Sequence, residues 1–191
     1  VNPLVWIQSL LTFRKQGGGF SVPELDGAGR IRVSLLSESP IVVGAVAPAV
    51  IDGSVLWYNT TTSLMMFYDI SRSKWLSTES HSLAGGRNGA TAVSGFYRGQ
   101  DGMVLDATTR GLPCRTGTLT SISWSKTSAG SSTLEVLANG AVIAELNSNG
   151  VGVVRDDTVN ADFSSGLMSF RNKAGLVATS NVQIVVHYRL R

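Results

Sequence analysis

Charge is what this chain has least of. Asp, Glu, Lys and Arg together make up 15% of its 191 residues, against roughly 25% in an average soluble domain. So few charges leave little to hold a lone surface in water, and part of that surface is expected to be covered by other chains. Cysteine is nearly absent as well: Cys114 is the single one. That excludes an intramolecular disulfide, and with it a disulfide-stapled secreted domain, and it suits folding in a reducing cytosol. Of the two histidines, His81 and His187, neither has partners at metal-ligand spacing, so no metal site is expected. The longest apolar run, from Ile41 to Ile51, is broken by Gly44 and Pro48. It falls short of the about 20 residues that a membrane-crossing helix needs, so no membrane insertion is expected. The opening VNPLVWIQSLLTF has no basic leader and no small-x-small cleavage site, so no signal peptide is expected. The positive excess is only +3, and no basic run is longer than Arg14-Lys15. Nucleic acid is not an expected partner, because no basic stripe is present.

What the chain does have is glycine, 21 residues of it, with abundant serine, threonine and valine, a composition of extended β structure. The most informative stretch is VLWYNTTTSLMMFYDISRSKWLS, Val55 to Ser77. Val55–Tyr58 and Leu64–Asp69 read as strands joined by a polar run, Asn59 to Ser63. A turn over Ile70–Ser73 then leads to a third strand from Lys74, which completes a β-meander. Opened by Gly53 and closed by KWLS, residues 51–79 resemble the repeat of tailed-bacteriophage fibre and tail proteins. The resemblance implies a virion structural protein of the tail-fibre, head-fibre or capsid-decoration kind. It also implies a homotrimer in which the meander forms a neck before a receptor-binding or capping domain. Trp57, Tyr58, Met66, Tyr68 and Trp75 would then pack within or between chains.

Residues 1–50 read as an extended arm. Asn2-Pro3 is a helix start, and Leu4, Ile7, Leu10 and Leu11 recur at helical spacing, so a short helix over Pro3–Phe13 is expected. With Trp6, those residues either pack on their own domain or anchor the chain on a partner such as another virion protein of the capsid, neck or tail. Gly17, Gly18 and Gly19 read as a hinge. Ile31, Val33 and Leu35 alternate with polar residues as a half-buried strand. Ile41–Val46, bracketed by Pro40 and Pro48, is expected at a sheet edge or an interchain contact. The Gly- and Ser-rich residues 80–95, with Gly85-Gly86 and an Asn88-Gly89 turn signal, read as a linker and the main domain boundary.

Residues 96–191 read as a jelly-roll-like antiparallel β-sandwich, so the fold class expected for the whole chain is all-β. Expected strands are Met103–Ala107, Thr118–Ser125, Thr133–Ala138, Ala141–Leu146, Val151–Arg155, Leu167–Arg171 and Val182–Leu190, with weaker ones near Cys114 and at Ala174–Ala178. Asn139-Gly140 is the preferred pair for a two-residue hairpin turn. GTLTSISWS leading to the TLEVLANG hairpin, with the final NVQIVVHYRLR, resembles the distal domains of phage fibres and head fibres.

A catalytic constellation is not legible, and no enzyme activity or cofactor is expected. His81 reads as a loop residue, His187 as a strand-rim residue and Cys114 as a semi-buried thiol. Asp156, Asp157 and Asp162 lack the alternating spacing of a calcium loop and read as a turn. Trp124, Tyr97 and Tyr188 are candidates for stacking on a sugar, equally well explained by packing, and no sugar site is assigned. The second reading is therefore an adhesin that binds a host-surface polysaccharide. In either case the expected destination is the virion, after folding in the host cytoplasm.

Overall fold

The computed structural model describes residues 41–49, 55–92, 94–173 and 178–191, together with the backbone of four short strands nearer the amino terminus. The chain divides into two compact units, Val1–Pro40 and Ile41–Arg191. In the first, β1 (Phe13–Arg14) pairs antiparallel with β2 (Phe20–Ser21), and β3 (Glu24–Leu25) with β4 (Ile31–Arg32). Phe13, the expected last residue of a helix, is therefore in a ladder. The rest of that helix, with Leu4, Trp6, Ile7, Leu10 and Leu11, lies outside the described residues, as do the three glycines of the expected hinge.

The second unit opens with a four-stranded sheet in the order β5 (Ile41–Gly44), β6 (Leu56–Asn59), β7 (Leu64–Asp69), β8 (Lys74–Ser77). The last three strands are the expected antiparallel meander. β5 joins it parallel to β6, at the edge that its prolines foretell. Each turn is made by a side chain. Asn59 Oδ1 accepts the backbone N–H groups of Thr61 and Thr62 at 2.9 and 3.3 Å. Asp69 Oδ1 accepts that of Arg72 at 3.1 Å and the Ser71 hydroxyl at 2.6 Å. These short polar side chains stand in for the missing ladder partners, which is why they occur at turns.

The remaining ten strands form the sandwich: β9 (Ser80–Thr91), β10 (Arg98–Gly99), β11 (Leu112–Cys114), β12 (Gly117–Lys126), β13 (Ser132–Ala138), β14 (Ala141–Ser148), β15 (Gly152–Asp156), β16 (Ala161–Phe163), β17 (Gly166–Asn172) and β18 (Thr179–Leu190). One sheet runs β10-β9-β18-β12-β15 with β16 also on β12, and the other runs β11-β17-β13-β14. The pairings are nested. β13 pairs with β14, β12 with β15, β11 with β17 and β9 with β18, all antiparallel. This is one long hairpin rolled up so that successive pairs fall alternately in the two sheets, which is the jelly roll. Its innermost turn is Asn139-Gly140, at φ 50° and 83°, so the strongest local turn signal in the sequence is also the tip of the whole ribbon. Asn139 Oδ1 accepts the N–H of Leu167 at 3.0 Å and ties that tip to β17.

Between the sheets lie Leu119, Ile122, Trp124, Ile184, Val186 and Tyr188 from one side and Leu134, Val136, Met168 and Phe170 from the other, all buried. In β18 the expected division holds. Ile184, Val186, Tyr188 and Leu190 face the core, and Val185, His187 and Arg189 are half-buried on the outer face.

Two expectations fail. Residues 80–91 are no linker but the first strand of the jelly roll, paired along its length with the last. Gly85 and Gly86 are there for close approach: a Cβ on Gly86 would stand 2.2 Å from the Val182 carbonyl oxygen, and one on Gly85 2.8 Å from that of Arg98. Asn88-Gly89 sits at a register shift in that pairing, where the Gly89 N–H donates to Asn181 Oδ1 at 2.9 Å. The compact unit accordingly begins at Ile41. Residues 103–107 form no strand either, only a bridge between Val104 and Arg98. Beyond it the Asp106 carboxylate collects the backbone N–H groups of Thr108, Thr109 and Arg110, which closes a loop instead of extending a ladder. Of the weaker strand at Ala174–Ala178, residues 174–177 lie outside the described residues.

Candidate functional site

The meander carries the aromatic cluster that the sequence singles out, and the structure brings its members together within one chain. The Trp75 ring meets Trp57 edge-on at 5.6 Å and Tyr68 edge-on at 5.6 Å, the arrangement that the ring quadrupoles favour. Trp57 and Met66 are buried, whereas Tyr58, Tyr68 and Trp75 are half-buried. The Trp57 indole N–H donates to the Gly44 carbonyl at 2.9 Å and so pins β5 onto the meander.

What the sequence does not announce is how this sheet is fastened to the jelly roll. Arg72, in the β7–β8 turn, is the main fastening. Its Nη1 donates to Asp69 Oδ2 at 2.7 Å, its Nε to the Val159 carbonyl at 2.9 Å and its Nη2 to the Thr120 carbonyl at 2.8 Å and to that of Asp157. The Thr120 carbonyl is open because β12 bulges between Leu119 and Ser121 in its pairing with β18. A bulge leaves one residue of the ladder unpaired, and the fixed fork of a guanidinium suits several acceptors at once.

Three more cations complete the junction. Lys74 Nζ stands 2.7 Å from Asp162 Oδ1, which also accepts the Thr118 hydroxyl at 2.6 Å, and Arg191 pairs with the other oxygen. Arg189 reaches the opposite way, from β18 to the carbonyls of Ser77 and Thr78 at 2.8 and 2.7 Å, with its guanidinium 5.0 Å from the centre of the Phe67 ring. Burial opposes ionisation of Asp69, but the hydrogen bonds from Ser71 and Arg72 and the Arg72 charge outweigh it and hold the carboxyl below its usual value. At Asp162 burial is likewise outweighed, by the bonds from Lys74 and Thr118 and by the Arg191 and Lys74 charges.

The other candidates are dispersed. His81 stacks on Tyr188 at 5.2 Å, with Nε2 4.0 Å from a Glu79 oxygen. His187 faces Ser121 on the outer side of β12 and β18. Cys114 is buried, and burial pushes its thiol up, against the pull of a hydrogen bond with the Gly166 backbone. Asp156 caps the Thr158 N–H, Asp157 pairs with Arg155, and Asp162 belongs to the junction. The three aromatics considered for sugar stacking are all interior: Trp124 and Tyr97 are 0% exposed and Tyr188 is 5%. Burial takes their ring faces from any sugar, and it also pushes the Tyr97 phenol up to about 12, although the bond with the Thr179 hydroxyl works against the rise. Arg72 was missed because, within the sequence, it is one polar residue in a short turn. The only local signal is the Asp69-x-x-Arg72 spacing. No known protein family, no curated protein and no solved structure matches the chain.

Proposed function

We propose that this chain is a structural protein of a bacteriophage virion, a homotrimeric fibre or spike. The region before Ile41 attaches it to the capsid, neck or tail, the meander serves as its neck and the jelly roll projects outward. The reading is carried by one observation: the aromatic meander is joined to the jelly roll through the part-buried Arg72 fork. A neck and head joined in this way transmit force as one body, which an attachment protein requires. The jelly roll recurs in viral capsid and lectin domains, and fold by itself does not choose between them. The low charge of the chain and its exposed apolar residues Ile41 and Val43 favour a role in association.

Two measurements test the proposal. Light scattering of the full chain is expected to give three times its 20.2 kDa mass; a monomer overturns the trimer. Antibodies against the chain are expected to label intact phage particles released by lysis of the producing host. Particles that stay unlabelled overturn the virion assignment.

A further inference from the structure

The two faces of the meander sheet are not equivalent. Register places Ile41, Leu56, Phe67 and Leu76 in one row across the four strands, and Val43, Tyr58 and Met65 in a second row on the same face. Exposure along the first row climbs from 0% at Leu76, through half-buried Phe67 and Leu56, to 53% at Ile41. Val43, in the second row, is 66% exposed, and Val46, just past the strand, is 82%. The sheet thus leaves the jelly roll with this apolar face progressively uncovered toward β5, its edge strand among the described residues. All seven side chains in these rows are apolar or aromatic, and none is charged.

We infer that this face is where a second copy of the chain docks, an inference that rests on the oligomer proposed above. Three observations favour a copy over an unrelated partner. First, the two rows are uncharged, and the charges beside them on the same face are already paired: Asp69 with Arg72, Lys74 with Asp162, and Arg189, on Phe67, with the Ser77 and Thr78 carbonyls. Two copies can therefore meet there without a like-charge cost even though each chain carries a net charge of +3. Second, the size fits. With Val46 included, the patch amounts to roughly 400–500 Å², within the range of the largest patch on a monomer, which is often functional. Two such faces together remove roughly 800–1,000 Å², the size of a weak specific interface. Third, the edge strand IVVG carries none of the lysines or inward charges by which edges are kept apart. In sequence Pro40 and Pro48 flank it, and proline disfavours a continued ladder.

The test compares the full chain with Val43→Asp and with Val153→Asp by light scattering at one concentration. Val153 serves as the control because it is 72% exposed and lies on β15 of the jelly roll. The expected result is a multimeric wild type, a mass reduced to the single chain in Val43→Asp (threefold for a trimer) and no change in Val153→Asp. Circular dichroism should be unaltered in all three. Ile41→Asp, at the exposed end of the other row, repeats the test if Val43→Asp fails to fold. A multimer that survives both substitutions on this face, or that dissociates with Val153→Asp, overturns the docking face and leaves the oligomer standing. A monomeric wild type overturns both.

Discussion

Replacing Arg72 by alanine is the sharpest probe of the junction between meander and jelly roll. The side chain is 13% exposed, as is that of its partner Asp69, and the guanidinium serves three backbone carbonyls besides that carboxylate. Hydrogen bonds to a charged group contribute about 1.5–3 kcal/mol each, but they do not add, because water reaches part of the vacated site. The better guide is the cost of stripping one partner from a buried ion pair, about 3–5 kcal/mol. For a unit of this size that corresponds to a fall in Tm of roughly 8–16 °C, read by thermal or urea unfolding at neutral pH. Arg72→Lys keeps the charge but replaces a planar fork by a single point, so it is expected to lose more than half as much. Arg155→Ala is the control. Its ion pair with Asp157 is exposed on both sides, at 60% and 58%, and its loss should stay within about 1 kcal/mol. If Arg72→Ala melts within 2 °C of wild type, or no lower than Arg155→Ala, the junction is not held as described.

Acid should loosen the same junction. Asp69 and Asp162 both titrate below the ordinary 3.8, so their stabilisation is complete at neutral pH and is lost as pH falls below 3.8 through the folded-state values. Asp162→Asn should flatten that acid limb in a Tm-against-pH series, and an unchanged limb refutes the assignment. Trp57→Ala, which removes a buried ring and the bond to Gly44, should cost about 3–5 kcal/mol. Trp75→Ala, half-buried, should cost less, and the reverse order in urea melts would contradict the packing. Gly86→Ala should destabilise by about 1–3 kcal/mol or more, because the new Cβ meets a backbone oxygen. A flexible linker glycine would instead gain about 0.4–1 kcal/mol from the same change, so the sign alone decides.

Much of the fold is legible locally. Strands β6, β7 and β8 fall within a residue of their expected starts, because short runs of aromatic, leucine and methionine residues lie between turns that polar side chains close. The Asn139-Gly140 turn and the inward row of β18 follow from the same period of two. Strand β9 was hidden for a physical reason. Glycine has no side chain to carry an alternating pattern, and in isolation Gly85-Gly86 looks like flexibility. Only the approach of β18 and β10 shows that the position excludes a Cβ. The same holds for Tyr97 and Trp124, whose composition suits an exposed sugar platform or a core equally.

The sequence by itself therefore determined the all-β class, the meander, the innermost hairpin and which side chains share a face. Each depends only on neighbours a few residues apart. The tertiary structure alone decided which faces are closed and which stay open. The nesting of β9 with β18, the bulge that frees the Thr120 carbonyl for Arg72, and the uncovered row ending at Ile41 and Val43 all join residues tens of positions apart. No local period records such partners, because a strand's face is buried or bare according to what the rest of the chain lays against it.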